Sequence, residues 1–144
     1  MDSLRINTGE VRLAINDDPG RVISFNPEDL SFAERFYGLL GDFEAKEKEY
    51  QGRAAALQKD AEADDFGIPK NFGAALDLLH ETCDFLRTKI DEVFGAGTSQ
   101  TVFGDANTLD MFEQFFTGLT PYVQKSREKH VRKYTGKPKR GVMK

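Results

Sequence analysis

The sequence has a single cysteine, no tryptophan and no long apolar run. With Cys83 alone, an intrachain disulfide is excluded, which favours a reducing compartment such as the cytoplasm. The first ten residues, MDSLRINTGE, contain no apolar core of the kind found in a signal peptide. No segment approaches the roughly 20 apolar residues that a transmembrane helix needs. We therefore expect a cytoplasmic protein that does not insert into a membrane.

The composition is otherwise that of a globular protein slightly rich in charge. The 144 residues are 39% hydrophobic and 31% charged. A chain of this length buries roughly two-thirds of its unfolded surface, enough for a core without disulfides or metals. We predict one domain over residues 1–135 and a disordered basic tail over residues 136–144.

The net charge of −4 is unevenly distributed along the chain. Residues 1–120 hold 11 basic and 23 acidic side chains, whereas residues 121–144 hold nine basic ones and one acid, Glu128. An acidic body with a basic end predicts self-association or an anionic partner, although a solvated terminal segment would carry the same pattern. The candidate residues for electrostatic contact are Lys125, Arg127, Lys129, Arg132 and Lys133.

The first 25 residues read as strands. VRLAI (11–15) alternates apolar and other residues, NDDPG (16–20) has strong turn chemistry, and RVISF (21–25) is the returning strand. SLRIN (3–7) is a candidate third strand. Because a lone hairpin is only marginally stable in water, it must pack on helices or on another subunit.

A long helix is predicted within residues 26–65. Asn26 and Pro27 supply a cap and a first-turn proline, and Ser31 with Glu34 matches a capping box, so the main helix should begin near residue 31. Its apolar stripe is wide in the first half and thin in the second. We therefore expect the first half to lie in a core and the second half to project or to pair with one partner.

A second helix over residues 71–94 carries the clearest periodicity. One face holds seven residues at alternating spacings of four and three: Phe72, Leu76, Leu79, Cys83, Leu86, Ile90 and Val93. The two long helices should form an antiparallel hairpin through a loop near residues 65–70. Leu78 and Phe85 point away from this face and need a second partner, either another helix or another chain.

The last third of the chain predicts an aromatic helix followed by a basic one. Residues 107–119 place Leu109, Phe112, Phe115, Phe116 and Leu119 on one face. Thr120 and Pro121 should interrupt the helix and open a basic helix over residues 121–134, which carries Tyr122. The predicted fold class is α+β, mainly α, with a small N-terminal hairpin or meander before a bundle of three to four helices.

The stretch DEVFGAGTSQTVFGD (residues 91–105) has the glycines and hydroxyls of a phosphate cradle but lacks its other requirements. A P-loop needs a lysine after its last glycine, and a dinucleotide fingerprint follows a strand. Here Gly95 follows a helical face, which favours a helix stop and a hinge. We expect Phe94 and Phe103 to fix this hinge to the core.

Other chemical signals are weak. His80 and Cys83 lie one helical turn apart, but zinc needs three or four ligands, and a cysteine on an apolar face is usually a buried, inert thiol. Carboxylates lie on solvent faces except Glu47, which register control in a helix pair explains equally well. We predict no enzymatic activity and no catalytic, cofactor-binding or metal-binding residues.

Several segments together resemble a known family. VFGAGTSQTVFGD followed by MFEQFFTGLTPYVQKSREKHVRKYTGK, and LRINTG followed by FNPEDLSFAERFYGLL, are similar to small tail assembly chaperones of long non-contractile-tailed phages and prophages of Gram-positive bacteria. The resemblance covers nearly the whole chain, but its motifs carry no catalytic signature.

This resemblance implies a role in the host cytoplasm during virion morphogenesis. Such proteins are thought to coat the tape measure protein, a very long, helical and partly hydrophobic chain, until tail tube subunits displace them. The resemblance transfers no binding residues. From the surplus apolar residues, the candidates for protein binding are Leu78, Phe85, Phe112, Phe115, Phe116 and Tyr122, and the alternative is that they form the core.

Two other functions fit the same residues. A structural tail component, such as a connector, would stay in the virion. A nucleic-acid-binding regulator would use residues 121–144, with Tyr122 as a stacking group, but the acidic body opposes that function electrostatically.

Overall fold

The computed structural model describes residues 1–59 and 62–135, with only the backbone described for Arg127 and for residues 129–135. Two strands precede four helices: β1 (Val11–Ile15), β2 (Asp18–Phe25), α1 (Leu30–Lys59), α2 (Phe72–Phe94), α3 (Thr98–Phe103) and α4 (Leu109–Thr135). The predicted α+β, mainly α class is confirmed, including the antiparallel hairpin of the two long helices.

The strands form an antiparallel hairpin in which apolar residues face each other. Leu13 lies opposite Ile23, and Val11 lies opposite Phe25. The turn residues Asn16 and Asp17 both have positive φ, at 53° and 61°, the conformation of the two-residue turns that match strand twist. The second strand therefore begins at residue 18, earlier than the predicted residue 21.

The predicted third strand is wrong, because residues 1–10 contain no strand. Side-chain hydrogen bonds hold the chain just before β1. The Asn26 side-chain amide donates to the Thr8 carbonyl at 2.6 Å, and the Gly9 amide donates to Asn7 Oδ1 at 3.0 Å. These bonds fix the base of the segment, and Leu4 and Ile6 remain exposed.

α1 is one continuous helix of 30 residues, about 45 Å long. Its N-terminal cap is Asp29, whose carboxylate accepts the Ser31 amide at 3.0 Å. The prediction that Ser31 caps the helix is therefore wrong, because the cap lies two residues earlier, at Asp29. The Asp29 amide donates to the Asn26 carbonyl, and this turn leads directly into the helix. The predicted range 26–65 is also too wide at both ends.

The core is aromatic and centres on the first half of α1. Phe94, at the end of α2, contacts the rings of Phe25, Phe32, Phe36 and Phe115 at centroid distances of 5.3–6.2 Å. Several of these rings meet edge to face, the arrangement that aromatic quadrupoles favour. Phe94 thus contacts the β-hairpin, α1 and α4. It fixes the end of α2 to the core, as predicted.

The stretch 91–105 is the joint between α2 and α4. Gly95, Gly97 and Gly104 have φ of 118°, 87° and 60°, values that side-chain-bearing residues rarely adopt. Asp91 accepts hydrogen bonds from the Ser99 amide at 2.8 Å and its hydroxyl at 3.2 Å, which ties the short α3 to the end of α2. The predicted helix stop is confirmed, and the stretch joins α2 to α4 through α3.

α4 runs through Pro121 without a break, so the predicted division into helices 107–119 and 121–134 is wrong. Proline has no backbone N–H, so the carbonyl of Thr117, four residues earlier, loses its helical hydrogen bond. Thr117 lies on the exposed face of α4, where water can supply a replacement hydrogen bond. The buried face continues across the proline through Phe116, Leu119 and Val123.

Candidate functional site

The aromatic face predicted to bind a partner lies inside the protein. Phe112, Phe115 and Phe116 are buried, and the Phe116 ring packs on Phe43 at 4.9 Å. All three rings belong to the core, and their predicted role in partner binding stays a prediction. The joint reverses the chain so that α4 packs its aromatic face against α1, and the alternative assignment to the core holds.

Phe85 and Tyr122 occupy intermediate positions. The Phe85 ring is half-buried beneath the ammonium groups of Lys46 and Lys89, at 4.7 and 5.6 Å. These cations on its face reduce the need for a second apolar partner. Tyr122 is partly exposed, and its ring meets Phe25 edge to face at 6.1 Å.

Of the basic residues predicted to make electrostatic contacts, only Lys125 has a described side chain, and it is exposed. The side chains of Arg127, Lys129, Arg132 and Lys133 lie outside the described part of the structure, as do residues 136–144. Their predicted role stays a prediction.

Four exposed apolar residues lie together at the far end of the α1–α2 hairpin. Phe66 is 88% exposed, and Ile68, Phe72 and Leu76 are each about half exposed. Phe72 and Leu76 were predicted to continue the packed face of α2, and for these two residues that prediction is wrong. At this end α1 offers only the thin stripe of small or partly buried residues that its sequence predicted.

The path of α4 explains why it does not cover this end. Phe116 contacts Phe43 in the middle of α1, whereas Tyr122, later in α4, contacts Phe25, which itself stacks on Phe32 near the start of α1. α4 therefore runs away from the far end of the α1–α2 hairpin. Among the described helices, the second half of α1 and the first half of α2 pack mainly on each other.

Between them lies a groove of about 420 Å³, which we call the distal groove. The lining residues come from α1, the connecting loop and α2: Tyr50, Gln51, Ala54, Ala55, Leu57, Gln58, Pro69, Asn71, Phe72, Ala75 and Leu78. None of them is charged. Leu78, only 4% exposed, forms part of the floor, so one residue predicted for protein binding does line a concave surface.

Polar bonds outside the groove hold the two helices in place. Arg53 Nη1 lies 2.6 Å from Glu81 Oε2, and Lys46 Nζ lies 3.8 Å from the same carboxylate. The hydrogen bond and charge of Arg53 lower the pKa of Glu81, and those of Glu81 raise the pKa of Arg53. Because the Glu81 pKa is lower in the folded protein, this pair stabilises the fold at pH values above the pKa of the unfolded carboxyl. The stabilisation is lost as the pH falls through the pKa of Glu81 in the folded protein.

The loop at the far end is also ordered by hydrogen bonds. The Asp64 carboxylate accepts the amides of Phe66 and Ile68 at 2.8 and 3.0 Å. The Asn71 side-chain amide donates to the Leu57 carbonyl at 2.6 Å, which links α2 to the last turns of α1. The groove walls are therefore fixed before any partner arrives, which lowers the entropy cost of binding.

His80 and Cys83 are separated by their environments. His80 is exposed, with Nε2 3.7 Å from the Asp84 carboxylate, whereas Cys83 is fully buried. Burial raises the pKa of the Cys83 thiol, and a raised pKa disfavours the thiolate that nucleophilic and metal chemistry require. Among the side chains that the structure describes, no three from aspartate, glutamate, histidine or cysteine group in a way that could hold a metal ion.

A family model described as "Family of unknown function (DUF6673)" matches residues 20–143. No curated protein and no solved structure matches the chain. Among the described residues, no helix combines the length and apolar character needed to span a bilayer.

Proposed function

The chain belongs to the DUF6673 family, whose function is unknown. We propose that it is a non-enzymatic phage tail assembly chaperone that binds the tape measure protein. The observation that carries the proposal is the distal groove, an uncharged concavity lined by exposed Phe72, with exposed Leu76 one helical turn further along α2. The resemblance described above supplies the identity of the partner.

The groove has the dimensions of a helix-binding site. Tyr50 and Leu57 both line it and, seven residues apart on one helix, they are about 10.5 Å apart along its axis. A bound helix presents its apolar residues at positions i, i+3, i+4 and i+7 over the same distance. Small side chains at Ala54, Ala55 and Ala75 leave room for larger side chains of a partner.

The chemistry of the groove fits a long, partly hydrophobic helical chain. An uncharged surface imposes no charge pattern on the helix, so the same groove suits many sites along one tape measure protein. The groove is lined by 11 residues, whereas a stable protein interface has roughly 20–30 residues a side. Many weak contacts would cover the chain and still release it when tail tube subunits compete for it.

The proposal predicts that co-expression with the tape measure protein raises the soluble fraction of that protein and that the two proteins co-purify. The natural test partner is the tape measure protein of the same phage or prophage, expressed with and without the present chain. An unchanged soluble fraction, together with no co-purification, would contradict the proposal.

Mass spectrometry of purified virions gives a second test. A chaperone that is displaced during assembly should be absent from mature tails. Its presence there in stoichiometric amounts would instead indicate a structural component.

A further inference from the structure

The two-stranded sheet leaves one edge of β1 unpaired. Among the described residues, β1 hydrogen-bonds only to β2. β2 is hydrogen-bonded to α3, because the Arg21 side chain donates to the carbonyls of Thr101 and Val102 at 3.0 and 2.6 Å. A free strand edge presents a row of backbone donors and acceptors to which another strand can pair.

A second concavity, a cleft of about 640 Å³, lies beside β1, between the β1–β2 hairpin and α4. We call it the hairpin cleft. Its apolar lining includes Leu13, Ile15 and Ile23 from the hairpin and Met111, Phe115 and Leu119 from α4. Leu13 and Ile15 are only half-buried, so the inner face of β1 is incompletely covered by its own chain.

Residues 3–7 have the pattern that such an edge and cleft would accept. SLRIN alternates, with Leu4 and Ile6 on one face and Ser3, Arg5 and Asn7 on the other. Leu4 is 84% exposed and Ile6 is 73% exposed. Two large apolar side chains at strand spacing are thus displayed to solvent.

The base of this segment directs it away from its own β1. The bonds from Asn26 to the Thr8 carbonyl and from the Gly9 amide to Asn7 Oδ1 occupy the residues that a tight turn back onto β1 would use. Gly9 has φ of 93°, and a Cβ there would lie 2.3 Å from a carboxylate oxygen of Glu28. Pairing within one chain would have to break this arrangement.

We propose that residues 3–7 of a second copy of this chain add as a strand to the free edge of β1, with Leu4 and Ile6 seated in the hairpin cleft. The spacing of Leu4 and Ile6 along a strand equals that of Leu13 and Ile15, the cleft residues beside them. Main-chain bonds to β1 hold the strand, and the cleft selects its alternate side chains.

Charge and symmetry favour a second copy as the occupant. Each chain carries both the segment and the cleft, so two chains can exchange segments and close a pair without leaving an unfilled site. Each chain also combines an acidic body with a basic end, so charge attracts copies of it to one another and salt weakens that attraction.

The segment side is tested with Leu4→Asp/Ile6→Asp, compared with Ser3→Asp/Asn7→Asp, which adds the same charge to the opposite face. A carboxylate at position 7 can still accept the Gly9 amide, so the control keeps the bond at the base of the segment. Light scattering over a concentration series should show self-association of the wild-type chain. The first variant should raise the dissociation constant by about a hundredfold or more, because two buried apolar side chains are lost. The control should stay within about threefold, since rim charges contribute little.

The cleft side is tested with Gly118→Trp, compared with Gly38→Trp. Both glycines lie on exposed helix faces, and an added Cβ meets no atom within 4 Å at either position, but only Gly118 lines the cleft. Gly118→Trp should weaken association to a similar degree, and Gly38→Trp should leave it unchanged.

Any of three results would overturn the proposal. The first is a wild-type chain that stays monomeric at its highest soluble concentration. The others are a dissociation constant that is unchanged in Leu4→Asp/Ile6→Asp and a dissociation constant that is unchanged in Gly118→Trp. The proposal does not depend on the tape measure protein, so the solubility test of the proposed function can fail or succeed separately.

Discussion

Replacing Phe72 and Leu76 by aspartate is expected to abolish solubilisation of the tape measure protein while leaving the fold intact. Phe72 lines the distal groove, and Leu76 lies one helical turn further along the same face of α2. Both side chains are about half exposed, so the core does not depend on them. In a complex, the partner helix would cover positions 72 and 76. Two carboxylates at these positions would be buried in an apolar contact without a counter-charge, which is unfavourable. Losing both apolar contacts should weaken binding by about two orders of magnitude or more.

The matched control is Ala56→Asp/Ala74→Asp. These exposed alanines lie on the same two helices, outside the groove lining, and receive the same added charge. The soluble fraction of the co-expressed tape measure protein should equal that obtained with the wild-type chain. If both variants fail equally, or if Phe72→Asp/Leu76→Asp still solubilises the partner, the distal groove is not the binding site.

Phe36→Ala is expected to cost about 3–5 kcal/mol of unfolding free energy, the typical loss for a phenylalanine removed from a packed core. Phe36 has no solvent exposure, and its ring contacts those of Phe32, Tyr37 and Phe94. Because natural domains are stable by only about 5–15 kcal/mol, this loss would bring the protein close to unfolding. Urea denaturation followed by circular dichroism measures it.

Phe66→Ala is the control for the same change at an exposed position. Phe66 is 88% exposed in the loop before α2, so its removal should change the unfolding free energy by less than about 0.5 kcal/mol. Similar losses in the two variants would mean that the aromatic cluster around Phe94 is not the core of the protein.

Local periodicity predicts the elements of this fold because each depends on neighbours in the sequence. The alternation in VRLAI, the turn residues after it and the four-three spacing on α2 each specify one burial pattern. The glycines at 95, 97 and 104 likewise specify where the helices end, because their positive φ disfavours other residues.

The location of the candidate site could not be predicted in the same way. Phe72 and Leu76 have the same spacing as Leu86 and Ile90, yet only the latter pair is buried. The difference comes from α4, which covers one end of the α1–α2 hairpin and not the other. Its direction depends on the backbone of the joint and on packing around Phe94, both of which are tertiary features.

Pro121 illustrates the opposite error, in which a strong local signal is overridden. Proline commonly marks a helix boundary, but here the buried residues on both sides of it share one face and pack on the same core. The missing backbone bond falls on the solvent side, where its cost is lowest. Local chemistry therefore gave the wrong boundary because tertiary packing decided it.

The most direct test of the distal groove is site-specific photo-cross-linking from two adjacent residues of α1. Ala55 lines the groove and Ala56 does not, although both are exposed. With a photoreactive amino acid at either position and the tape measure protein co-expressed, we expect a covalent adduct from position 55 and little or none from position 56. Equal adducts from both positions, or none from position 55 while the complex still co-purifies, would contradict binding in the groove.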